Sequence, residues 1–101
     1  MIHVIATLHT APGARPRVLQ ALAEVTPQVL AEPGCLAYQP LVDLATDMAA
    51  QTVDEDSILM FEQWQSVDDL QAHLQMPHML RYRERVGDEV TRVTLRILTL
   101  P

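Results

Sequence analysis

Apolar and polar positions along the chain fall into seven blocks of recognisable period. Residues 3–10 alternate, with Ile2, Val4, Ala6 and Leu8 on one face and His3, Ile5, Thr7 and His9 on the other, which predicts a strand. Pro12 and Gly13 end it. Val18, Leu22, Val25 and Val29 then recur at +4, +3 and +4, an apolar helical stripe, with Pro16 suited to the first turn. Pro27 falls inside that stripe and predicts a kink rather than an end, because the period continues to Glu32-Pro33-Gly34. Residues 35–42 and 57–65 predict a second and a third strand. Ser66, with Asp69 three residues on, predicts a capped helix whose inner face is Val67, Leu70 and Leu74. Pro77 breaks that helix, and a further helical piece using Met79, Tyr82 and Val86 runs to about Gly87. Residues 91–99 predict the last strand.

The order is β-α-β-β-α-β, the split βαβ arrangement of a ferredoxin-like α+β domain over residues 1–101. Right-handed crossovers place both helical arms on one face of an antiparallel sheet. The second face is apolar in places too: Val4 and Ile5, Leu41 and Val42, Leu59 and Met60, and Ile97 and Leu98 occupy both sides of their strands. With 49% hydrophobic residues in 101, the expectation is a homodimer that packs sheet against sheet. Residues 43–56 form a long connection with five carboxylates, of the length often found in lids and mobile segments.

Charge narrows the partners. The net charge is −6, and the seven basic residues, all arginine, make no run denser than residues 81–85, which Glu84 interrupts. Nucleic acid and an anionic membrane surface are therefore not expected. No apolar run reaches the roughly 20 residues that span a bilayer. The opening residues lack a basic region and a cleavage site, and Cys35 has no partner for an internal disulfide. A cytoplasmic location is expected.

The chemistry concentrates in residues 62–79. His73 sits beside the apolar stripe of its helix, at a helix–sheet boundary where an imidazole can act as a general base on a phenolic hydroxyl. His78 follows Pro77 at a helix N-terminus, which favours the neutral imidazole a base requires. Trp64, Phe61, Tyr38 and Tyr82 are the only aromatics and are candidates to stack on a planar ligand. Met48, Met60, Met76 and Met79 suit an adaptable apolar wall. Taken singly, each of these residues has an ordinary use as well: a boundary histidine on a backbone carbonyl, an exposed turn residue, a core filler. His73 and His78 stand five apart across a proline, not at the four-residue spacing of a helical zinc pair, so no metal is expected. Three glycines leave no phosphate-cradling loop, and no cofactor motif is present.

The segments VIATLHTAPG, AEPGCLAY, SILMFEQWQS, LQAHLQMPHM and LRIL occur in this order, and in them the chain resembles small antibiotic-biosynthesis-monooxygenase domains, most of all the bacterial quinol monooxygenases. The resemblance covers essentially the whole chain. It implies a dimeric α+β barrel and oxygenation of a quinol or related phenol by O₂ without metal or flavin. On that reading His73 or His78 is the base, and Trp64, Phe61, Tyr38, Tyr82 and the methionines Met60, Met76 and Met79 are the walls. Haem-degrading relatives carry an Asn, a Trp and a His where this chain has Ala6, His73 and Arg83, so haem degradation is not expected. A non-enzymatic dimer that binds an aromatic ligand, or a stress-response module, needs the same pocket and is the alternative.

Overall fold

The computed structural model describes residues 1–101. Four strands, β1 (Ile2–Thr10), β2 (Cys35–Leu41), β3 (Ser57–Trp64) and β4 (Val90–Leu98), form one antiparallel sheet in the order β2-β3-β1-β4. That is the ferredoxin-like order, with the two outer connections crossing over and β2 and β3 joined side by side. The crossovers are α1 (Arg15–Leu30) and the pair α2 (Val67–Leu74) and α3 (Pro77–Val86), followed by a single 3₁₀ turn at Gly87–Glu89. Helix α1 is continuous across Pro27, and the hydroxyl of Thr26 donates to the Leu22 carbonyl at 2.6 Å on the turn that the proline leaves incomplete.

The register sorts the two faces of the sheet. Val4, Ala6 and Leu8 of β1 pair with Glu62, Met60 and Ile58 of β3, and with Ile97, Leu95 and Val93 of β4. This is the helix side. There Val18, Ala21, Leu22, Val25 and Val29 of α1, Leu70 of α2, and Met79 and Val86 of α3 close on the sheet in one core. The helices cover β1 and β3 but stop short of β4, whose Val93, Leu95 and Ile97 stay about half exposed on that same side. The opposite face mixes Ile5, Leu59, Phe61 and Leu41 with His3, His9, Arg92 and Arg96.

The phase of α2 differs from the sequence expectation. Its inner line is Leu70 and His73, both buried, while Val67 and Leu74 are 43% and 38% exposed. Two local contacts set this phase. The Ser66 hydroxyl accepts from the Asp69 N–H at 3.1 Å, the expected cap. The Asp69 carboxylate in turn reaches the Ser66 hydroxyl at 3.0 Å and lies against Gly34, whose φ of +78° turns the chain from α1 into β2. The carbonyl of Gly34 also accepts from the Gln65 N–H at 2.9 Å. The turn that follows α1 is thereby fastened to the start of α2, and this brings Glu32 opposite His73.

Candidate active site

A cavity of about 420 Å³ opens between the sheet and the paired helices α2 and α3. That volume lies in the range of small-molecule sites. Its floor is Ala6, Leu8, Met60 and Glu62 of the central strands with Tyr38 of β2, its far side is Leu70, Leu74, Met79, Tyr82 and Val86, and its open edge is Val93 and Leu95 of β4. Of the 17 lining residues 13 are hydrophobic, and the charged or titrating exceptions are Glu62, His73 and Arg83. An apolar wall with three converging polar groups is the general form of an organic-ligand site.

His73 is 2% exposed, and its Nδ1 lies 3.1 Å from Oε1 and 2.9 Å from Oε2 of Glu32. The Nε2 of His78, the second residue of α3, lies 2.7 Å from the same Oε2. A carboxylate has acceptors only, so both imidazoles donate an N–H to it. His73 therefore carries its proton on Nδ1 and presents an unprotonated Nε2, which makes no hydrogen bond in the chain, from a ring that lines the cavity. Burial lowers the His73 pKa from its usual value, and the Glu32 hydrogen bond and charge only partly oppose this. The result is a neutral imidazole, oriented by a carboxylate, beside an apolar space.

Trp64 is fully buried and holds this histidine from behind, its ring centroid 4.7 Å from that of His73 and tilted by 41°. Tyr38 meets the same imidazole edge-on at 5.6 Å. The indole N–H of Trp64 donates to Glu62 Oε1 at 2.9 Å. Burial pushes the Glu62 carboxyl up to about 7, the Trp64 hydrogen bond lowering it somewhat and the charge of Glu32 adding to the rise. The phenol of Tyr82 is raised to about 12 by burial and its hydroxyl has no partner, while burial and the nearby charge of Glu62 push Tyr38 far up as well. Cys35 is pushed to about 11 by burial and by Glu32, which leaves it an inert thiol.

The expected site residues thus separate into groups. His73, Tyr38, Tyr82, Met60 and Met79 line the cavity. His78 lies outside the lining, and its Nε2 is bonded to Glu32; it helps orient the carboxylate. Trp64 and Met76 are also outside the lining: Trp64 backs His73, and Met76 packs at the edge of the core. Phe61 is a correction. It pairs with Ile5 and Gln39 on the opposite face of the sheet, because one residue along a strand reverses the side to which a chain atom points. Met48 lies 71% exposed in the acidic connection, which lends no residue to the lining.

Glu32, Glu62 and Arg83 are residues that sequence reasoning did not single out as site groups. Glu62 had a signal: it follows Ile58 and Met60 at period two, a carboxylate on the apolar side of a strand. Glu32 had none, since it sits in a helix stop 41 residues from its partner. The two imidazoles and Glu32 meet through a single oxygen at hydrogen-bond distance, and no group of three or more His, Cys, Asp or Glu side chains is arranged to hold a metal ion.

With this geometry, comparison with known proteins is decisive. The sequence pattern of the family described as antibiotic biosynthesis monooxygenase matches residues 1–85. The chain belongs to that family. The antibiotic biosynthesis monooxygenase relatives include the Escherichia coli K12 protein named "Probable quinol monooxygenase YgiN", 46% identical over 97% of this chain and 96% of that protein. Among solved structures of the same fold, Rv0793 from Mycobacterium tuberculosis superposes with a TM-score of 0.79 at 29% identity, covering 99% of this chain and 94% of that one. PA3566 from Pseudomonas aeruginosa superposes with a TM-score of 0.82 at 26% identity, covering 99% and 93%. As an antibiotic biosynthesis monooxygenase domain the chain is expected to act on a small molecule and O₂, and the cavity beside His73 is the one apolar space of suitable size.

Proposed function

We propose that this protein is a cofactor-independent monooxygenase or oxidase of quinols and related phenols, with His73 as the general base. The observation that carries the reading is the Glu32–His73 pair at the edge of an apolar cavity. O₂ has a triplet ground state, and a neutral phenol gives up an electron to it only slowly. A phenolate is far more electron-rich. Nε2 of His73 takes the hydroxyl proton, the imidazolium that forms is stabilised by Glu32, and the anion then passes an electron to O₂. Arg83 is the one cationic side chain in the lining, and its charge favours both the phenolate and the reduced oxygen that follows. The apolar walls keep water from the anion and strengthen these interactions. The name of the Escherichia coli relative supports a quinol as the substrate class.

The partly apolar opposite face of the sheet, with Ile5, Leu59, Phe61 and Leu41, supports a homodimer formed through that face. A cytoplasmic location is part of this proposal; separately, no helix is long and apolar enough to cross a membrane. Oxygen consumption with a menadiol-like quinol, measured against autoxidation, tests the function. Uptake well above autoxidation, with label from ¹⁸O₂ in the product or in water, supports it. A rate equal to autoxidation, with the ligand bound, favours the non-enzymatic aromatic-binding alternative.

A further inference from the structure

Glu62 occupies an unusual place. On the helix side of the sheet it is flanked in its row by Tyr38 on β2 and Val4 on β1, and it forms part of the cavity floor. Its carboxyl makes one hydrogen bond, from Trp64 Nε1 to Oε1, which leaves Oε2 without a partner in the chain. A carboxyl buried 95% from solvent with half its acceptors unused costs stability, and neither the core nor the His73 step explains it. Trp64 also fixes its relation to the base: the same indole that donates to Glu62 stacks on the His73 ring. Two proton-accepting groups of the cavity thus both contact one rigid side chain.

We infer that Glu62 is a second catalytic residue, the acceptor for the other hydroxyl of a dihydroxyaromatic substrate whose first hydroxyl lies on His73. The inference rests on the quinol reading above and makes it specific: the site selects two oxygens on one ring system. One hydroxyl proton passes to His73 Nε2 and the other to the carboxylate of Glu62. The dianion reduces O₂ and a C–O bond forms at the neighbouring ring carbon. The O–O bond then breaks. One oxygen stays on the ring, and the other leaves as water with one returned proton and the proton of that ring carbon. The second returned proton neutralises the hydroxyquinone. Naphthalene-1,4-diol and O₂ give 2-hydroxy-1,4-naphthoquinone and water, with all atoms and electrons accounted for.

The groups that face Glu62 are Glu32 in the turn after α1, Cys35 and Tyr38 on β2, His73 on α2, and Tyr82 and Arg83 on α3; β1 presents only apolar side chains. Between about pH 6 and pH 8 the raised Cys35, Tyr38 and Tyr82 stay neutral, and burial favours the neutral form of His73. Glu62 ionises within that window.

The test is anaerobic binding, so that turnover plays no part, of naphthalene-1,4-diol and of 1-naphthol, which lacks the second hydroxyl. A hydrogen bond to a buried carboxylate predicts that the wild-type protein at pH 8 prefers the diol by about 10-fold or more. The preference falls toward pH 6, and in Glu62→Gln it drops to about 2-fold at both pH values. The amide still accepts from Trp64, and a circular dichroism melt confirms the fold. Equal affinity for the two ligands in the wild type, or a diol preference that is unchanged in Glu62→Gln, overturns the assignment. The wild-type pH dependence stands as evidence without any variant: a preference flat from pH 6 to pH 8 also overturns it. A protein that shows the preference but consumes no oxygen supports Glu62 as the hydroxyl acceptor and removes the oxygenase reading instead.

Discussion

Nδ1 of His73 and Oε2 of Glu32 lie 2.9 Å apart in a site where both side chains are almost fully buried. The pair joins the turn after the first helix to the inner face of the second. It also decides which nitrogen of His73 carries the proton, as the buried acid of a catalytic triad does. Replacing Glu32 by glutamine keeps one carbonyl oxygen for the imidazoles, but it puts an N–H₂ group in place of the second oxygen beside His73 Nδ1 and removes the negative charge that stabilises the imidazolium. We expect Glu32→Gln to lower kcat for quinol oxidation by about 100-fold, within the range of a positioned general base, with KM changed by no more than about 2-fold. Steady-state oxygen uptake measures both. An unaltered kcat would restrict Glu32 to a structural role.

Glu62 makes a prediction about stability with a definite sign. Its carboxyl titrates at about 7 in the folded protein against 4.5 in an exposed chain. Between those values the folded state holds the proton more tightly, so this group weakens the fold progressively as pH rises from about 4.5 through 7. The difference amounts to about 3 kcal/mol once complete. His73 acts in the other direction: its lowered pKa removes stability as pH falls below its usual 6.5. Glu62→Gln is therefore expected to be more stable than the wild type by about 2–3 kcal/mol at pH 8, with the gain fading toward pH 5. Urea denaturation at the two pH values reads it directly. A variant less stable than wild type at pH 8 would mean that the carboxylate is better compensated than its surroundings indicate.

The turn at Gly34 carries a further test. A Cβ there would lie 2.1 Å from Asp69 Oδ2, at a φ of +78° that side chains rarely adopt. Gly34→Ala is expected to cost about 1–2 kcal/mol in backbone strain alone, and displacing Asp69 from the cap of α2 would add to this. Because that turn presents Glu32 to His73, activity should fall further than stability does. Denaturation midpoints and oxygen uptake on the same preparation separate the two; activity that simply tracks the folded fraction would show that the turn does not position the pair.

The strands and helices were legible because each is amphipathic with a clear period, and the breaks at Pro12-Gly13, Pro33-Gly34 and Pro77 are local chemistry. The inner face of α2 was not, because it depends on Glu32. A histidine outranks Val67 and Leu74 for the buried line only when a distant carboxylate satisfies it, and nothing within the helix reveals that partner. Phe61 shows a different failure. Its aromatic character suggested a cavity wall, but its parity with Leu59 rather than Met60 puts it on the far face. The same parity placed Glu62 on the apolar side in plain view. Its meaning emerged only from the helices packed over it, which turn an ordinary strand position into a buried carboxyl.

The central claim is that His73 takes the proton that makes a bound quinol reactive toward O₂. Single-turnover oxygen uptake isolates that step from binding and product release. The anaerobic complex with naphthalene-1,4-diol is mixed with oxygenated buffer for the wild type and for His73→Phe, which keeps a ring against Trp64 and Tyr38. The wild-type complex should be oxidised far faster than free quinol, and the His73→Phe complex slower than wild type by about 100-fold or more. Equal rates from the two complexes would contradict the claim.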